Sequence, residues 1–114
     1  MKILLLTFSL LSKMHVGRAT VFWATDDLYN PNSKLACNGK ELRDTDMYVA
    51  HPKFPCGSKV FLYNLRTHMA TVAVVMDRGP RHAMVDTSRA VARAIGLNGS
   101  ETVAMLSFKE GGLE

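Results

Sequence analysis

Short apolar runs, separated by turn-forming residues, recur along this chain. Residues 59–64 (KVFLYN) and 69–76 (MATVAVVM) are rich in β-branched and aromatic side chains, which favour strands. Weaker strand patterns cover residues 17–24, 47–50 and 102–108. Because glycine, proline and asparagine interrupt the chain between these runs, the pattern predicts a mainly β protein.

One segment has helical rather than strand spacing. Residues 86–96 read DTSRAVARAIG, and their apolar side chains recur at the interval of one helix face. Thr87 or Ser88 can cap the start of this helix, and Gly96 can end it. Several short strands and one short helix, without repeats, are typical of a small closed barrel, which leaves no strand edge unpaired.

The length and composition allow one domain. The chain has 114 residues, of which 47% are hydrophobic and 21% charged, enough for one hydrophobic core and too few for two. The formal net charge of +4 favours polyanionic surroundings, such as cell wall, an anionic membrane surface or nucleic acid. The charge by itself does not choose among these three.

The N-terminus has the pattern of a secretory signal. Lys2 precedes an apolar run over residues 3–11, which is too short to span a bilayer. The alternative is a buried first strand. We expect residues 1–16 to form the signal peptide, 17–109 the domain and 110–114 a frayed tail, although a cut near residue 12 would better preserve the first strand.

The two cysteines, Cys37 and Cys56, favour a disulfide in a small exported chain. The competing interpretation is a metal site, but the sequence contains neither a C-x-x-C motif nor a histidine pair at ligand spacing. We therefore expect a disulfide, no metal and no cofactor.

Two polar positions follow predicted strands. Asp77-Arg78-Gly79-Pro80 places a carboxylate and a guanidinium at the end of a strand, where barrel sites form. A structural turn, with Asp77 accepting backbone N–H groups, is the alternative. His51 follows residues 47–50 and could donate a proton near neutral pH, or serve as a structural hydrogen-bonding group.

Two candidate acids lie between the cysteines, and two candidate sugar-binding aromatic residues lie before them. Glu41 and Asp44 are three residues apart, and paired acids suit the hydrolysis of glycosidic bonds. A solvated charged loop is the alternative. Trp23 and Tyr29 could stack on sugar rings or belong to the core.

Six ordered motifs make the chain resemble the rare lipoprotein A (RlpA) family and, more broadly, the double-psi β-barrels of expansins and barwin-like proteins. The most specific is D-R-G-P at residues 77–80. The others correspond to the family's G-x-A-S-x-Y strand, T-A-N-G turn, A-A-H-x-x-L-P-x-G element, V-x-V-x-N strand and I-D-L-S segment, at residues 17–23, 36–39, 49–57, 60–64 and 85–88. The resemblance implies a six-stranded double-psi β-barrel with one short helix.

The resemblance also implies a function. Family members include lytic transglycosylases, which cleave between N-acetylmuramic acid and N-acetylglucosamine in peptide-poor peptidoglycan strands and form a 1,6-anhydro product. Asp77, His51, Glu41 and Asp44 are then the catalytic candidates. Contacts with glycan are expected from a second group of residues: Arg78, Trp23, Tyr29 and Asn38.

The chain departs from the family pattern at Lys40, where the family has a glutamate after N-G. Glu41 and Asp44 keep the family's E-x-x-D spacing but are displaced by one residue. The alternative function is therefore a non-catalytic, expansin-like module that binds wall glycan. A secreted effector or inhibitor that binds another protein is a third hypothesis, with little in the sequence to support it.

The remaining expectations concern surroundings and partners. We expect a periplasmic or secreted monomer whose partner is peptidoglycan glycan. We expect no nucleic acid partner, and no stable membrane insertion once the leader is removed.

Overall fold

The computed structural model describes residues 14–22 and 36–108. Six strands form a closed barrel in the order β1-β5-β2-β4-β3-β6. Pairs β1/β5 and β2/β4 are parallel, and the other four pairs are antiparallel. In chain order the elements are β1 (Met14–Val21), β2 (Tyr48–Ala50), β3 (Lys59–Asn64), β4 (Ala70–Asp77), β5 (Val85–Thr87), α1 (Arg89–Ala94) and β6 (Glu101–Phe108).

The mainly β barrel with one short helix is confirmed. The predicted bounds of β3 are confirmed, and those of β4 and β6 differ by one residue. β1 begins at Met14, before the expected start of the domain at residue 17, because residues 14–16 pair with β6. The leader boundary stays a prediction, and the tail at 110–114 lies outside the described residues.

The predicted helix is present and Ser88 caps it, as expected, but the residues before this cap form a strand rather than a helical turn. Val85–Thr87 forms β5, which pairs with β1 and with β2. The helix begins only at Arg89, and the Ser88 hydroxyl caps it by accepting the Val91 N–H at 3.2 Å. A strand of three residues is too short for its periodicity to be distinguished from the first turn of a helix.

The barrel interior is filled by alternate residues of the strands. Val60 and Leu62 of β3, for example, are fully buried, whereas Phe61 between them is 39% exposed. Val91 and Ile95 of the helical segment pack against this core. A second, smaller cluster lies outside the barrel wall, where Ala36 and Leu42 cover Tyr48.

The predicted disulfide is present. Cys37 and Cys56 are bonded, with their Cα atoms 6.0 Å apart. The bond ties the segment 36–47, which covers the second cluster, to the turn that follows β2. Within the described residues, no helix has the length and apolar character needed to cross a bilayer.

Candidate functional site

Four neighbouring strands bring two carboxylates into one row on the barrel wall. Thr20 of β1 pairs with Asp86 of β5, Asp86 pairs with Ala50 of β2, and Ala50 pairs with Asp77 of β4. A register shift after Val49 brings Asp77 opposite Ala50. We call these four residues, Thr20, Asp86, Ala50 and Asp77, the carboxylate row.

Asp86 faces outward from the barrel, because its neighbours Val85 and Thr87 are buried in the interior. The Thr20 hydroxyl donates a hydrogen bond of 2.8 Å to Asp86 Oδ1, which fixes this carboxylate. In the sequence, Asp86 matches the aspartate of the family's I-D-L-S segment at residues 85–88, but it was not among the site candidates. Its assignment to a strand was the missing signal.

Asp77 lies at the end of β4. Its backbone carbonyl contacts the turn after β2, and its side chain contacts the turn after β4. Its carbonyl accepts the His51 N–H at 3.1 Å, and its Oδ1 accepts the Arg78 N–H at 2.8 Å. The second contact is of the kind expected for a structural turn. Asp77 is therefore positioned by the same local geometry that ends the strand.

The Arg78 guanidinium contacts backbone rather than carboxylates in the contacts described. Its Nη1 donates to the carbonyl of His51 at 3.2 Å and also to the carbonyl of Phe54. These bonds hold the turn after β2 against the end of β4. The expected contact between Arg78 and glycan stays a prediction.

His51 is 8% exposed, and its hydrogen bonds determine its tautomer. Nδ1 accepts the backbone N–H groups of Lys53 and Phe54, each at 3.0 Å, so the proton of the neutral ring is on Nε2. The ring stacks on Phe54 with centroids 3.8 Å apart. Burial lowers the pKa of His51, and the charges of His15, Arg78 and Lys53 lower it further. The ring therefore shapes the turn as a hydrogen-bond acceptor, through the two backbone N–H groups that donate to Nδ1.

Tyr48, which the sequence analysis did not select, forms the floor beneath the segment 36–47. It is 1% exposed and packs edge-on against Phe22, with ring centroids 5.4 Å apart. Its hydroxyl has no hydrogen-bond partner among the described residues. Burial raises the pKa of Tyr48, and nearby carboxylates raise it further, in the order Asp44, Asp77, Asp46 and Asp86. Both acids of the carboxylate row thus act on one buried, un-ionised phenol.

The structure separates the remaining acid candidates. Glu41 is exposed and lines a cavity of about 240 Å³ together with Lys40 and Tyr48. Asp44 lines a different depression, beside Arg89 and Arg93 of α1. The two acids therefore do not face one cavity, although the Asp44 charge still acts on Tyr48.

The other sequence candidates are placed as follows. Asn38 lies in an exposed turn, where its side-chain oxygen accepts the Lys40 N–H at 3.1 Å. Trp23 and Tyr29 lie outside the described residues. Among residues 14–22 and 36–108, no cluster of three or more His, Cys, Asp or Glu side chains could hold a metal ion.

Two relatives support the resemblance at the level of sequence. The chain is 35% identical over 71 residues to the endolytic peptidoglycan transglycosylase RlpA of Pasteurella multocida, covering 60% of this chain and 24% of the relative. It is 33% identical over 76 residues to a probable endolytic peptidoglycan transglycosylase RlpA of Synechocystis, covering 63% and 24%. No family model matches the chain.

Solved structures support the fold. An expansin from Clavibacter michiganensis superposes with a TM-score of 0.66 at 18% identity, covering 87% of this chain and 52% of the expansin. The Streptomyces papain inhibitor gives 0.60 at 17% identity, covering 82% and 93%. Cerato-platanin 3 of M. perniciosa gives 0.53 at 10% identity, covering 83% and 95%.

The chain is therefore similar in sequence to part of RlpA, and its closed six-stranded barrel is consistent with the double-psi type. Its relationship to RlpA rests on sequence, and its relationship to the expansin and to the papain inhibitor rests on fold alone. The chain spans 24% of the length of the two RlpA relatives. The RlpA-like barrel therefore corresponds to one part of those proteins.

Proposed function

We propose that this RlpA-like barrel is a peptidoglycan lytic transglycosylase that cleaves the bond between N-acetylmuramic acid and N-acetylglucosamine in peptide-poor strands. The observation that carries the proposal is the carboxylate row, which holds Asp77 at the end of β4 and Asp86 two strands away. The names of the two relatives support the same substrate class. The disulfide supports a periplasmic or secreted location, because such bonds persist in oxidising compartments.

The chemistry needs one carboxyl group that exchanges a proton twice. Asp77, in its acid form, protonates the glycosidic oxygen as the bond from C1 of the muramic acid breaks. The C6 hydroxyl of the same sugar then forms a bond to C1, and its proton returns to the Asp77 carboxylate. No water is consumed, and the product carries a 1,6-anhydro ring. A single acid that becomes a base can therefore complete the cycle.

The other residues support this step in our proposal. His51 holds the turn beside Asp77 through its two Nδ1 contacts, and Arg78 ties the same turn to β4. Glu41 and Asp44 remain further acid candidates, from the cavity above Tyr48 and from the depression beside α1. Asn38, Arg78, Trp23 and Tyr29 are the proposed contacts with glycan.

The second candidate function is a non-catalytic module that binds wall glycan. Lys40 favours it, because a cation lines the cavity above Tyr48 at the position where the family carries a glutamate. A lysine can hold an acetamido or hydroxyl oxygen, but it does not supply the acid that the family position supplies. In this alternative, the same surface binds the strand without cleaving it.

The deciding experiment is mass spectrometry of soluble products after incubation of the oxidised protein with peptide-stripped glycan strands. Wild-type protein should release 1,6-anhydro products, and Asp77→Asn should lower the rate by about 100-fold or more. Glu41→Gln tests the displaced acid. Glu101→Gln is the matched control, because Glu101 is an acid outside the carboxylate row and its side chain pairs with Arg66.

The outcomes separate the two functions. Products that persist unchanged in Asp77→Asn would remove Asp77 from catalysis. If the wild-type protein releases none but still co-sediments with the strands, the glycan-binding module is correct. Neither products nor co-sedimentation would reject both candidate functions.

A further inference from the structure

The barrel wall opposite the second core cluster carries a continuous apolar surface. The strand register aligns outward-facing side chains from β1, β6, β3 and β4 in two adjacent rows. We call these eight residues the apolar face: Val16, Ala104, Tyr63 and Ala70 in one row, and Met14, Leu106, Phe61 and Val72 in the other.

Several of these side chains are strongly exposed although they are large and apolar. Val16 is 57% exposed, Val72 45%, Met14 44% and Phe61 39%. Leu65 and Met69, which flank the β3–β4 hairpin, are exposed to a similar extent. A contiguous patch of this kind marks a surface that meets protein or membrane more often than isolated exposed residues do.

The apolar face also contains a shallow cavity of about 190 Å³. It is lined by Met14, Phe61, Tyr63, Ala104, Met105 and Leu106. The Tyr63 hydroxyl is engaged by His68 Nδ1 at 2.6 Å. The lining therefore offers mainly hydrocarbon to an incoming group.

The charges around the apolar face have one sign. Asp77 lies at the far end of β4, five residues beyond Val72. The charged residues nearest the face, among the described outward positions of its four strands, are Arg18, beside Val16, and Lys59, beside Phe61. Both are basic, and the whole chain carries a formal net charge of +4. The nearby Arg66 is paired with Glu101. An occupant with hydrocarbon and negative charge matches this arrangement.

The size of the apolar face distinguishes the possible occupants. Four strands about 4.8 Å apart and two rows about 7 Å apart give a footprint of roughly 300 Å², which is well below the roughly 800 Å² per partner of a standard protein interface. The wall is also convex, because the barrel is closed. A small convex apolar surface with basic residues at its edges can bind at the boundary between the headgroups and acyl chains of a bilayer. It is less suited to binding a second copy of the chain.

We propose that the apolar face binds the surface of an anionic lipid bilayer. Phe61 and Met14 enter the acyl boundary, while Arg18 and Lys59 lie at the level of the lipid phosphates. The barrel stays folded and outside the hydrocarbon core. The middle of the carboxylate row, Asp86 on β5 and Ala50 on β2, lies across the closed barrel from β3 and β6, so bound protein keeps it directed away from the lipid. This binding is independent of the glycan chemistry proposed above.

The first test is co-sedimentation of the full chain with phosphatidylglycerol vesicles, with phosphatidylcholine vesicles for comparison. Phe61→Ser should weaken binding to phosphatidylglycerol by about tenfold, because an apolar side chain no longer leaves water. Lys59→Gln should weaken it by about fivefold. Met47→Ser, at an exposed apolar position away from the face, and Arg43→Gln, with the same change of charge, are the matched controls and should bind as wild type.

A second measurement is needed because the apolar run at residues 3–11 can itself bind lipid. Spin-labelled phosphatidylglycerol in bicelles should broaden the methyl NMR signals of Val16 and Val72 and leave the Met47 methyl signal sharp. Broadening at Met47 without broadening at Val16 and Val72 would overturn the proposal, as would equal binding of wild type and Phe61→Ser. A dimer in light scattering that Phe61→Ser dissociates, without vesicle binding, would assign the face to a second copy instead.

Discussion

The outer surface of the barrel is covered by another segment at β2 and is exposed at β3. Outside β2, Tyr48 is covered by the segment 36–47 and lies among four carboxylates. Outside β3, Phe61 is exposed in the apolar face, where no other segment of the described residues covers the pairing of β3 with β4 and β6. The structure of the surface at β2 requires the segment 36–47, which the disulfide holds in place. The surface at β3 is formed by the barrel strands alone.

This difference shows how one small fold can carry two independent surfaces. Polar chemistry needs side chains held in fixed positions, so it lies where a covering segment and buried hydrogen bonds limit movement. A lipid surface makes no such demand, since apolar contact is non-directional. Variants should therefore affect the two surfaces separately.

The largest expected effect is on the free energy of unfolding, and it should differ between an inward-facing and an outward-facing residue of β3. Leu62→Ala should destabilise the protein by about 3 kcal/mol, because Leu62 is fully buried and its truncation leaves a cavity. Phe61→Ser, one residue away, should cost less than about 1 kcal/mol, because Phe61 is already partly in water. Urea unfolding measures both. Equal losses would show that Phe61 contributes to the core and would weaken the membrane proposal.

The next effect tests whether the two surfaces are independent. The Cys37→Ala/Cys56→Ala double variant should lose about 3 kcal/mol, as estimated from the length of the loop closed by the bond. Hydrogen exchange should accelerate at the amides of Ala36 and Cys37, which bond to Lys40 and Met76. Amides in the β3/β6 pair should stay protected under conditions where the variant is folded. Uniform acceleration across the barrel would contradict independence.

A smaller effect concerns the buried ring of His51. Its pKa is below the ordinary value of 6.5, so the unfolded chain binds this proton at a higher pH than the folded protein does. The corresponding stability is complete above about pH 6.5 and is lost as the pH falls toward the folded-state pKa. In His51→Asn, the side-chain oxygen can still accept the Lys53 and Phe54 N–H groups, as in an Asx turn.

The measurement for His51 is urea unfolding at several values between about pH 7 and pH 5. The free energy of unfolding should fall less steeply in His51→Asn than in wild type, because one proton-linked group has been removed. An identical slope in both proteins would mean that His51 does not contribute to this pH dependence. The apolar face carries no comparable buried histidine among its eight residues, so Phe61→Ser should keep the wild-type slope.

Much of the fold could be predicted because its strands carry strong local patterns. β3 and β4 have continuous β-branched and aromatic runs, and both were predicted within a residue. β5 was not, because three residues contain less than two periods of alternation and its pairing partners lie more than 30 positions away. The motif at residues 77–80 indicated Asp77 from sequence. Asp86 lies in the I-D-L-S match at residues 85–88, which suggested no role for it, and Tyr48 gave no signal.

From the sequence, the strand patterns predicted a small barrel, the resemblance to RlpA implied its type, the two cysteines favoured a disulfide, and the motif at residues 77–80 made Asp77 a candidate. Each of these depends on residue type and local order. Only the tertiary structure decided that Asp86 lies in one row with Asp77, that Glu41 and Asp44 face different depressions, and that eight apolar side chains form one face. These outcomes depend on which strands become neighbours and in which register. Register is set by the closure of the whole barrel, since shifting one strand by one residue would reverse which of its side chains face outward.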